Sequence, residues 1–175
     1  MNGARVTLAE LNAASRQEFL SACGALFEGS PWVAERAWPA CPFPSLEALH
    51  RELVAAMERA SAEEKLGLLR AHPDLVGRLS ARASALSGHS AREQAAAGLD
   101  SLTDEEARMF RSYNEKYYGK FGFPFVICAR ENRKEAILQA FSRRLSQARE
   151  QEIETALAEI AKIAWLRLRD AVSEG

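Results

Sequence analysis

Three side chains in this sequence have types and settings that suit proton transfer or anion binding. His72 ends an amphipathic stretch, EEKLGLLRAHPDL, and Pro73 forces the helix to stop there. A helix C-terminus favours a protonated imidazole, so His72 could donate a proton near neutral pH. A histidine that only caps the helix explains the same pattern, and the local sequence leaves both interpretations open.

Glu93 is also open to two interpretations. In HSAREQAAAGLD it stands three residues after Ser90, which is the spacing of a capping box at a helix start. Such a helix start also offers free N–H groups and the positive end of a dipole, so it could form one wall of an anion-binding pocket. Gln94 adds an amide beside the small residues AAAG, where a ligand could approach closely.

Arg167 falls on the apolar side of the last predicted helix. On a wheel of about 100° per residue it lies about 20° from Ile160 and about 40° from Ile163, whereas Arg169 lies on the opposite face. A guanidinium aimed at the core needs a partner, because an unpaired buried charge would cost at least ~3 kcal/mol. The partner is either an internal carboxylate or an anionic ligand, and the planar fork suits a substrate carboxylate.

The remaining histidines and the missing motifs limit the kinds of catalytic site that the sequence predicts. His50 sits in a helical stretch of mixed polarity and is predicted to be a surface residue, and His89 is predicted to lie in a loop ahead of a helix. The sequence contains no HExxH or HxxxH spacing, no GxxxxGK[ST] loop, no GxGxxG after a strand and no GxSxG elbow. We therefore expect no metal and no cofactor.

Helices must position these residues. Ser or Thr followed three residues later by Glu marks helix starts at Ser15, Ser61, Ser90 and Thr103. The breakers between the segments are too short for domain linkers, so we predict a single compact all-α domain over residues 1–175, with about eight helices. The helices are expected near 15–28, 31–38, 45–59, 61–71, 90–98, 103–118, 133–146 and 149–172.

One run departs from the helical pattern. The aromatic and β-branched residues of 121–128, FGFPFVIC, suit an extended chain, and Pro124 disfavours helix at Phe123. A lone extended segment has no sheet to pair with, so its backbone groups must find partners in side chains, loops, water or a ligand. We predict that this run borders a binding site and joins no multi-stranded sheet.

Composition and charge exclude several classes of protein. Apolar residues make up 47% and charged residues 27% of the 175, which is typical of a folded globular domain. The 23 basic and 24 acidic residues nearly cancel, so no nucleic acid partner is expected. No stretch approaches the ~18 apolar residues of a membrane span, and the N-terminus lacks the apolar core of a signal peptide. Three cysteines without a CxxC pair fit a reducing cytoplasm.

Five stretches together resemble, in order and over nearly the whole chain, the 2-oxo-4-hydroxy-4-carboxy-5-ureidoimidazoline (OHCU) decarboxylase family of urate breakdown. They are FEGSPWVAERAW, LLRAHPDLVGRL, SAREQAAAGLDSLTDEE, YNEKYYGKFGFPFVICAR and ALAEIAKIAWLRLRD. The H-P-D-L, S-x-x-E-Q-x-x-A-G-L and F-G-F-P-F motifs are specific as a set. The resemblance implies an all-α, cofactor-free enzyme, usually a homodimer, that converts OHCU to (S)-allantoin and CO2.

The resemblance also implies roles for single residues. His72 matches the proposed proton donor and Glu93 its catalytic partner, and Arg167 matches the anion-binding residue, which agrees with the helical wheel. One departure is Cys41, which stands where family members commonly have arginine before Pro-Phe. The residues implied to line the substrate are Pro73, Ser90, Gln94 and the backbone of Phe125, Val126, Ile127, Cys128 and Ala129.

Two other functions remain open at the level of sequence. A helical interaction module could keep the fold and lose the chemistry, although it would not need His72, Glu93, Gln94 and Arg167 together. A related decarboxylase could act on another small ureido or imidazoline acid.

Overall fold

The structure is a computed structural model that describes residues 5–76 and 88–175. Nine α-helices account for most of these residues, which confirms the all-α prediction. In chain order they are α1 Leu8–Ala13, α2 Arg16–Cys23, α3 Trp32–Ala37, α4 Leu46–Glu58, α5 Ala62–Ala71, α6 Gly88–Ala96, α7 Asp104–Phe121, α8 Lys134–Arg144 and α9 Arg149–Ala171. Across the described ranges, none of the helices has the combined length and apolar character of a membrane span.

Short elements complete the described chain. A 3-10 helix, Trp38–Ala40, follows α3, and a second one, Ala129–Glu131, precedes α8. The sheet found within residues 5–76 and 88–175 is a parallel pair of β1 Val6–Thr7 and β2 Val172–Ser173. Strand β1 and helix α1 lie outside the predicted elements, because such short runs carry too little periodicity to be recognised, and β2 begins at Val172, the last residue of the helix predicted over 149–172.

Reciprocal capping boxes begin three of the predicted helices, with each side chain bonded to the other residue's backbone N–H. The three boxes are Ser15 with Glu18, Ser61 with Glu64, and Thr103 with Glu106. The predicted start at Ser90 is wrong, because α6 already includes Gly88 and His89. Ser90 is buried, so packing directs its side chain inward and overrides the local capping preference.

Two helix ends differ from the prediction for local reasons. The helix predicted over 15–28 ends at Cys23, where Gly24 follows and the chain turns. The helix predicted over 103–118 continues to Phe121 and ends at Gly122, whose φ of 79° is the left-handed conformation common at helix C-termini.

The chain divides into two compact units, Met1–Leu68 with Ala161–Gly175, and Leu69–Ile160. In the first unit α3 packs on α4, and the ring of Phe19 lies 5.0 Å from that of Trp38, between centroids. Asn12 fixes the turn before α4, since its Oδ1 accepts the Phe43 N–H at 2.8 Å. Cys41 lies in that turn with its Sγ 3.6 Å from the Asn12 carbonyl oxygen.

The second unit contains an aromatic cluster beside the extended run. The buried ring of Tyr117 lies 4.6 Å from Phe121, 5.9 Å from Phe123 and 5.1 Å from Phe125, between centroids. Phe125 also stacks on Phe141 at 3.8 Å. Such buried rings contribute most of the apolar area in a core, so this cluster anchors the run by its side chains.

The backbone of the run agrees with the prediction except at its start, because Phe121 is the last residue of α7 and is helical. Residues 124–128 belong to no helix or strand, after the end of α7 and a bend at 122–123, and Cys128 has an extended conformation with φ −70° and ψ 91°. They pair with neither strand of the small sheet, so the prediction that the run joins no multi-stranded sheet is confirmed for the described chain.

We predict opposite effects for alanine at two glycines of the α7 end. Gly122→Ala should lower the free energy of unfolding by about 1–2 kcal/mol, because an L-residue is strained in the left-handed conformation. Gly119→Ala, in the exposed last turns of α7, should raise it by about 0.5–1 kcal/mol, since a Cβ there meets no atom within 4 Å. Urea unfolding measures both, and a destabilising Gly119→Ala or a neutral Gly122→Ala would contradict the assignment of the helix end.

Candidate active site

His72 lies immediately after the last residue of α5 and has only 7% of its surface exposed. Its backbone N–H donates to the Leu69 carbonyl at 3.3 Å, which continues the helical bonding by one residue. The imidazole Nε2 is buried in the protein. Burial suits a proton donor that is shielded from bulk water, and the role of His72 stays a prediction.

Side-chain amides hold the loop that follows α5. The Gln94 Oε1 accepts the Val76 N–H at 2.9 Å, and its Nε2 donates to the Asp74 carbonyl at 3.3 Å. From α7, Asn114 Nδ2 donates to the Leu75 carbonyl at 2.7 Å. The loop is thereby fixed to α6 and α7 by bonds that a neighbouring strand would make in a sheet.

Val76, the last described residue after α5, has a strained conformation. Its φ of 57° is in the left-handed region, which β-branched residues rarely occupy. Strain of this kind costs on the order of 1–3 kcal/mol and persists only where surrounding contacts enforce it. The bond to Gln94 and the burial of the Val76 side chain supply that enforcement.

The helix α6 brings the S-x-x-E-Q motif to the extended run. Ser90 and Gln94 are buried and Glu93 is half-buried. The helix packs against the 3-10 helix Ala129–Glu131, which ends the run. Burial raises the pKa of the Cys128 thiol to about 11, and nearby carboxylates, including that of Glu93, add to the rise.

Side chains bond three backbone groups of the extended run, which pairs with no strand in the described part of the chain. Arg144 Nη1 donates to the Val126 carbonyl at 2.7 Å. The Cys128 N–H donates to Glu159 Oε2 at 2.8 Å, and the Cys128 carbonyl accepts from Asn132 Nδ2 at 3.0 Å. The predicted pocket wall is thus held by residues of α8, α9 and the loop before α8.

A buried ionic network that the sequence reasoning missed lies behind this wall. Glu152 Oε1 accepts from Arg144 Nε at 2.8 Å and from the Tyr117 hydroxyl. Arg144 is 3% exposed and Glu152 is 0% exposed. The guanidinium carbon of Arg144 also lies 4.2 Å from the centroid of the Phe125 ring, which is a cation–π distance.

The helical spacing that identified Arg167 also marks this network. Arg144 stands three residues after the buried Phe141 on α8, and Glu152 stands four residues before the buried Ala156 on α9. Residues at these spacings share one helix face. A wheel over each helix would therefore have found both charges on buried faces, although not that they pair.

Arg167 belongs to the first unit and is 1% exposed, as the wheel predicted, whereas Arg169 is exposed. Its Nη2 lies 3.0 Å from Glu28 Oε1, and its Nη1 donates to the Leu26 carbonyl at 3.4 Å. Of the two partners that the sequence left open, the structure contains the internal carboxylate. Anion binding by Arg167 stays a prediction.

The other two histidines differ from the prediction. His50 is half-buried, with its Nε2 2.8 Å from the Ala161 carbonyl oxygen and its ring 5.3 Å from that of Trp165. It is not a free surface residue, because its ring packs on α9. His89 is half-buried inside α6 and not in a loop.

All the predicted site residues except Arg167 lie in the unit Leu69–Ile160. They fall on three neighbouring pieces of the chain: the loop after α5, the helix α6 and the extended run. These pieces combine an imidazole, a carboxylate and a hydroxyl with a buried apolar wall. Such a combination suits a small polar substrate whose surroundings must be kept dry.

Comparison with known proteins gives the family. A family model described as OHCU decarboxylase matches residues 12–169. The chain is 41% identical over 168 residues to the 2-oxo-4-hydroxy-4-carboxy-5-ureidoimidazoline decarboxylase of Haloferax volcanii, covering 96% of this chain and 97% of that protein. It is 39% identical over 166 residues to the protein of the same name from Halalkalicoccus jeotgali, covering 95% and 92%.

A solved structure agrees with these relatives. The crystal structure of (S)-allantoin synthase superimposes with a TM-score of 0.77 at 31% identity over 95% of this chain, which spans 54% of that longer chain. Both sequence relatives are named as decarboxylases and are matched over 92% and 97% of their length. The chain therefore belongs to the OHCU decarboxylase family, and the family predicted from the sequence is confirmed.

We predict that Gln94→Leu releases the loop after α5. The variant removes two buried hydrogen bonds and leaves the Val76 N–H without its acceptor, so the free energy of unfolding should fall by about 2 kcal/mol. Hydrogen exchange at the Val76 amide should quicken. Gln139→Leu, on an exposed position of α8, should stay within about 0.5 kcal/mol of the parent. Equal effects of the two variants would show that the Gln94 amide does not hold the loop.

Proposed function

We propose that this chain catalyses the decarboxylation of OHCU to (S)-allantoin and CO2 in urate degradation, without a metal or cofactor. The matching family model and the relatives named OHCU decarboxylase support this reaction. Neither an interaction module nor a decarboxylase of another acid is favoured by these relatives. The observation that carries the proposal is the meeting of the His72 loop, the S-x-x-E-Q helix and the extended run in one unit.

The reaction defines what the site must do. Breaking the bond to the carboxylate releases CO2 and leaves the electron pair on the ring carbon, from which the adjacent C=N and C=O groups withdraw charge. One proton must then be added to that carbon from one face. A protein accelerates this step by stabilising the developing negative charge and by supplying the proton from a fixed position.

His72 supplies the proton in this proposal. Its place at the end of α5 favours the protonated ring, because carbonyl groups concentrate negative potential at a helix C-terminus. Glu93 orients the imidazole and further favours its charged form. Delivery from one side of the ring yields a single enantiomer.

The remaining residues bind the substrate. The backbone of Phe125–Ala129, with Pro73 and Ser90, lines it, and the buried side chains of the run exclude water around the leaving carboxylate. Gln94 acts here too, and its bonds to residues 74 and 76 mean that it also positions the loop carrying His72. Arg167 binds an anionic oxygen of the substrate with its planar fork.

The family and the net charge of the chain support proposals about its domain, oligomeric state, location and partners. We propose that residues 1–175 act as one OHCU decarboxylase-like domain, that the protein works as a homodimer, and that it resides in the cytoplasm. A net charge of −1 supports function without a nucleic acid or membrane surface.

The function is tested by the handedness of the product. OHCU generated in situ from urate should be converted to optically active (S)-allantoin faster than by spontaneous decay, as followed by circular dichroism. His72→Asn should stay folded and lose at least about a hundredfold in kcat, because the proton donor is gone. His50→Gln should keep its activity. Racemic product from the parent protein would refute the function, and an active His72→Asn would refute the role of His72.

We also predict that Glu28→Gln strengthens binding of the anionic substrate. An amide keeps a hydrogen bond to Arg167 but removes the carboxylate that neutralises it, so KM should fall several-fold while the protein without ligand loses stability. Arg167→Lys should raise KM about tenfold, since the fork is lost.

Glu35→Gln, at an exposed position of α3, is the control and should leave KM unchanged. A rise in KM with Glu28→Gln similar to that with Arg167→Lys would contradict an anion-binding role for the guanidinium.

A further inference from the structure

Two side chains form hydrogen bonds with the backbone of the extended run on either side of Ile127. Arg144, at the end of α8, donates to the Val126 carbonyl at 2.7 Å. Glu159, in the middle of α9, accepts the Cys128 N–H at 2.8 Å. Both bonds lie within the unit that contains the candidate site. They fix the position of the backbone over a stretch of three residues.

The hydrogen bond to the Val126 carbonyl depends on a charge that is buried in the protein. Arg144 and Glu152 are both almost fully buried, and a buried ion pair is on balance a weak source of stability compared with apolar packing. A guanidinium offers geometry that apolar packing lacks. In one rigid plane it bonds Glu152 and the Val126 carbonyl, and its face covers the Phe125 ring. The network therefore specifies where the run lies.

We propose that Arg144 and Glu159 are positioning residues for the substrate wall, and that they hold residues 126–128 in the binding conformation before substrate arrives. This inference rests on the proposed function, in which Phe125–Ala129 line the substrate. A wall that is already ordered lowers the entropic cost of binding. Arg144 acts through Val126 and Glu159 through Cys128, so each affects binding of the substrate indirectly.

The kinetics of Arg144→Lys test the hydrogen bond between Arg144 and the Val126 carbonyl. Lysine keeps a charge for Glu152 but cannot bond the Val126 carbonyl in the same plane. KM for OHCU generated in situ from urate should rise about tenfold with kcat within about twofold, because the wall contacts substrate and transition state alike. Tyr117→Phe is the matched control. It removes the hydroxyl on Glu152 and lowers the melting temperature, but it leaves the Arg144 bond to Val126 and should leave KM unchanged.

Glu159 provides a second test, at the hydrogen bond to the Cys128 N–H. Glu159 is half-buried, so Glu159→Ala should fold while depriving the Cys128 N–H of its acceptor. KM should rise as for Arg144→Lys. Glu159→Gln should restore the parent KM, since the amide oxygen accepts the same bond without the charge.

Two buried thiols report the position of the run without any assay of activity. Burial raises the pKa of Cys128 to about 11 and that of Cys23, in the other unit, to about 12. Both should therefore react slowly with N-ethylmaleimide in the parent protein. In Arg144→Lys and Glu159→Ala, peptide mapping should show faster labelling of Cys128 with Cys23 unchanged.

The outcomes separate this inference from the proposed function. Three results would each overturn the positioning role. The first is a KM that rises in Tyr117→Phe together with the loss of stability, and the second is a Glu159→Gln variant that fails to restore KM. The third is an equal acceleration of labelling at Cys128 and Cys23. A parent protein that forms no (S)-allantoin from OHCU would refute the proposed function instead, while the labelling of Cys128 would still report whether the run is held.

Discussion

Residues 124–128 run outside any helix, and no strand of residues 5–76 and 88–175 pairs with them, so their backbone N–H and C=O groups need other partners. The bond from Arg144 to the Val126 carbonyl meets part of this demand. It brings a guanidinium into the core, which in turn requires the carboxylate of Glu152, whose oxygen also takes the Tyr117 hydroxyl. One irregular stretch of backbone thus explains why the unit buries a charged network beside its aromatic cluster.

The loop after α5 is built on the same principle. Its backbone is bonded by the amides of Gln94 and Asn114, and the strained φ of Val76 is enforced by those contacts. Helices α6 to α9 consequently act as a scaffold whose side chains replace the missing strands. The arrangement leaves two non-helical segments, fixed in place, next to the motif helix that carries Glu93. Rigid placement of this kind is what stereospecific proton delivery needs.

Local patterns predicted the parts of the fold that depend on neighbours in sequence. Three capping boxes, the stop at Pro73 and the buried face of Arg167 follow from spacings of three to seven residues, so they were predictable. The carboxylate that meets Arg167 was not, because Glu28 lies 139 positions away. The pairing of Arg144 with Glu152 was not predictable either, because the two residues lie on different helices and a helical wheel describes one helix at a time. The start of α6 was misplaced because burial of Ser90 outweighs its capping preference.

The central claim is that the extended run and the motif helix together form the substrate site. Titration of 15N-labelled protein with (S)-allantoin, followed by amide chemical shifts, tests this claim directly. The account predicts that the largest shifts fall on residues 125–129 and 90–94 and on His72. Saturable shifts confined to other residues, with these amides unmoved, would contradict it.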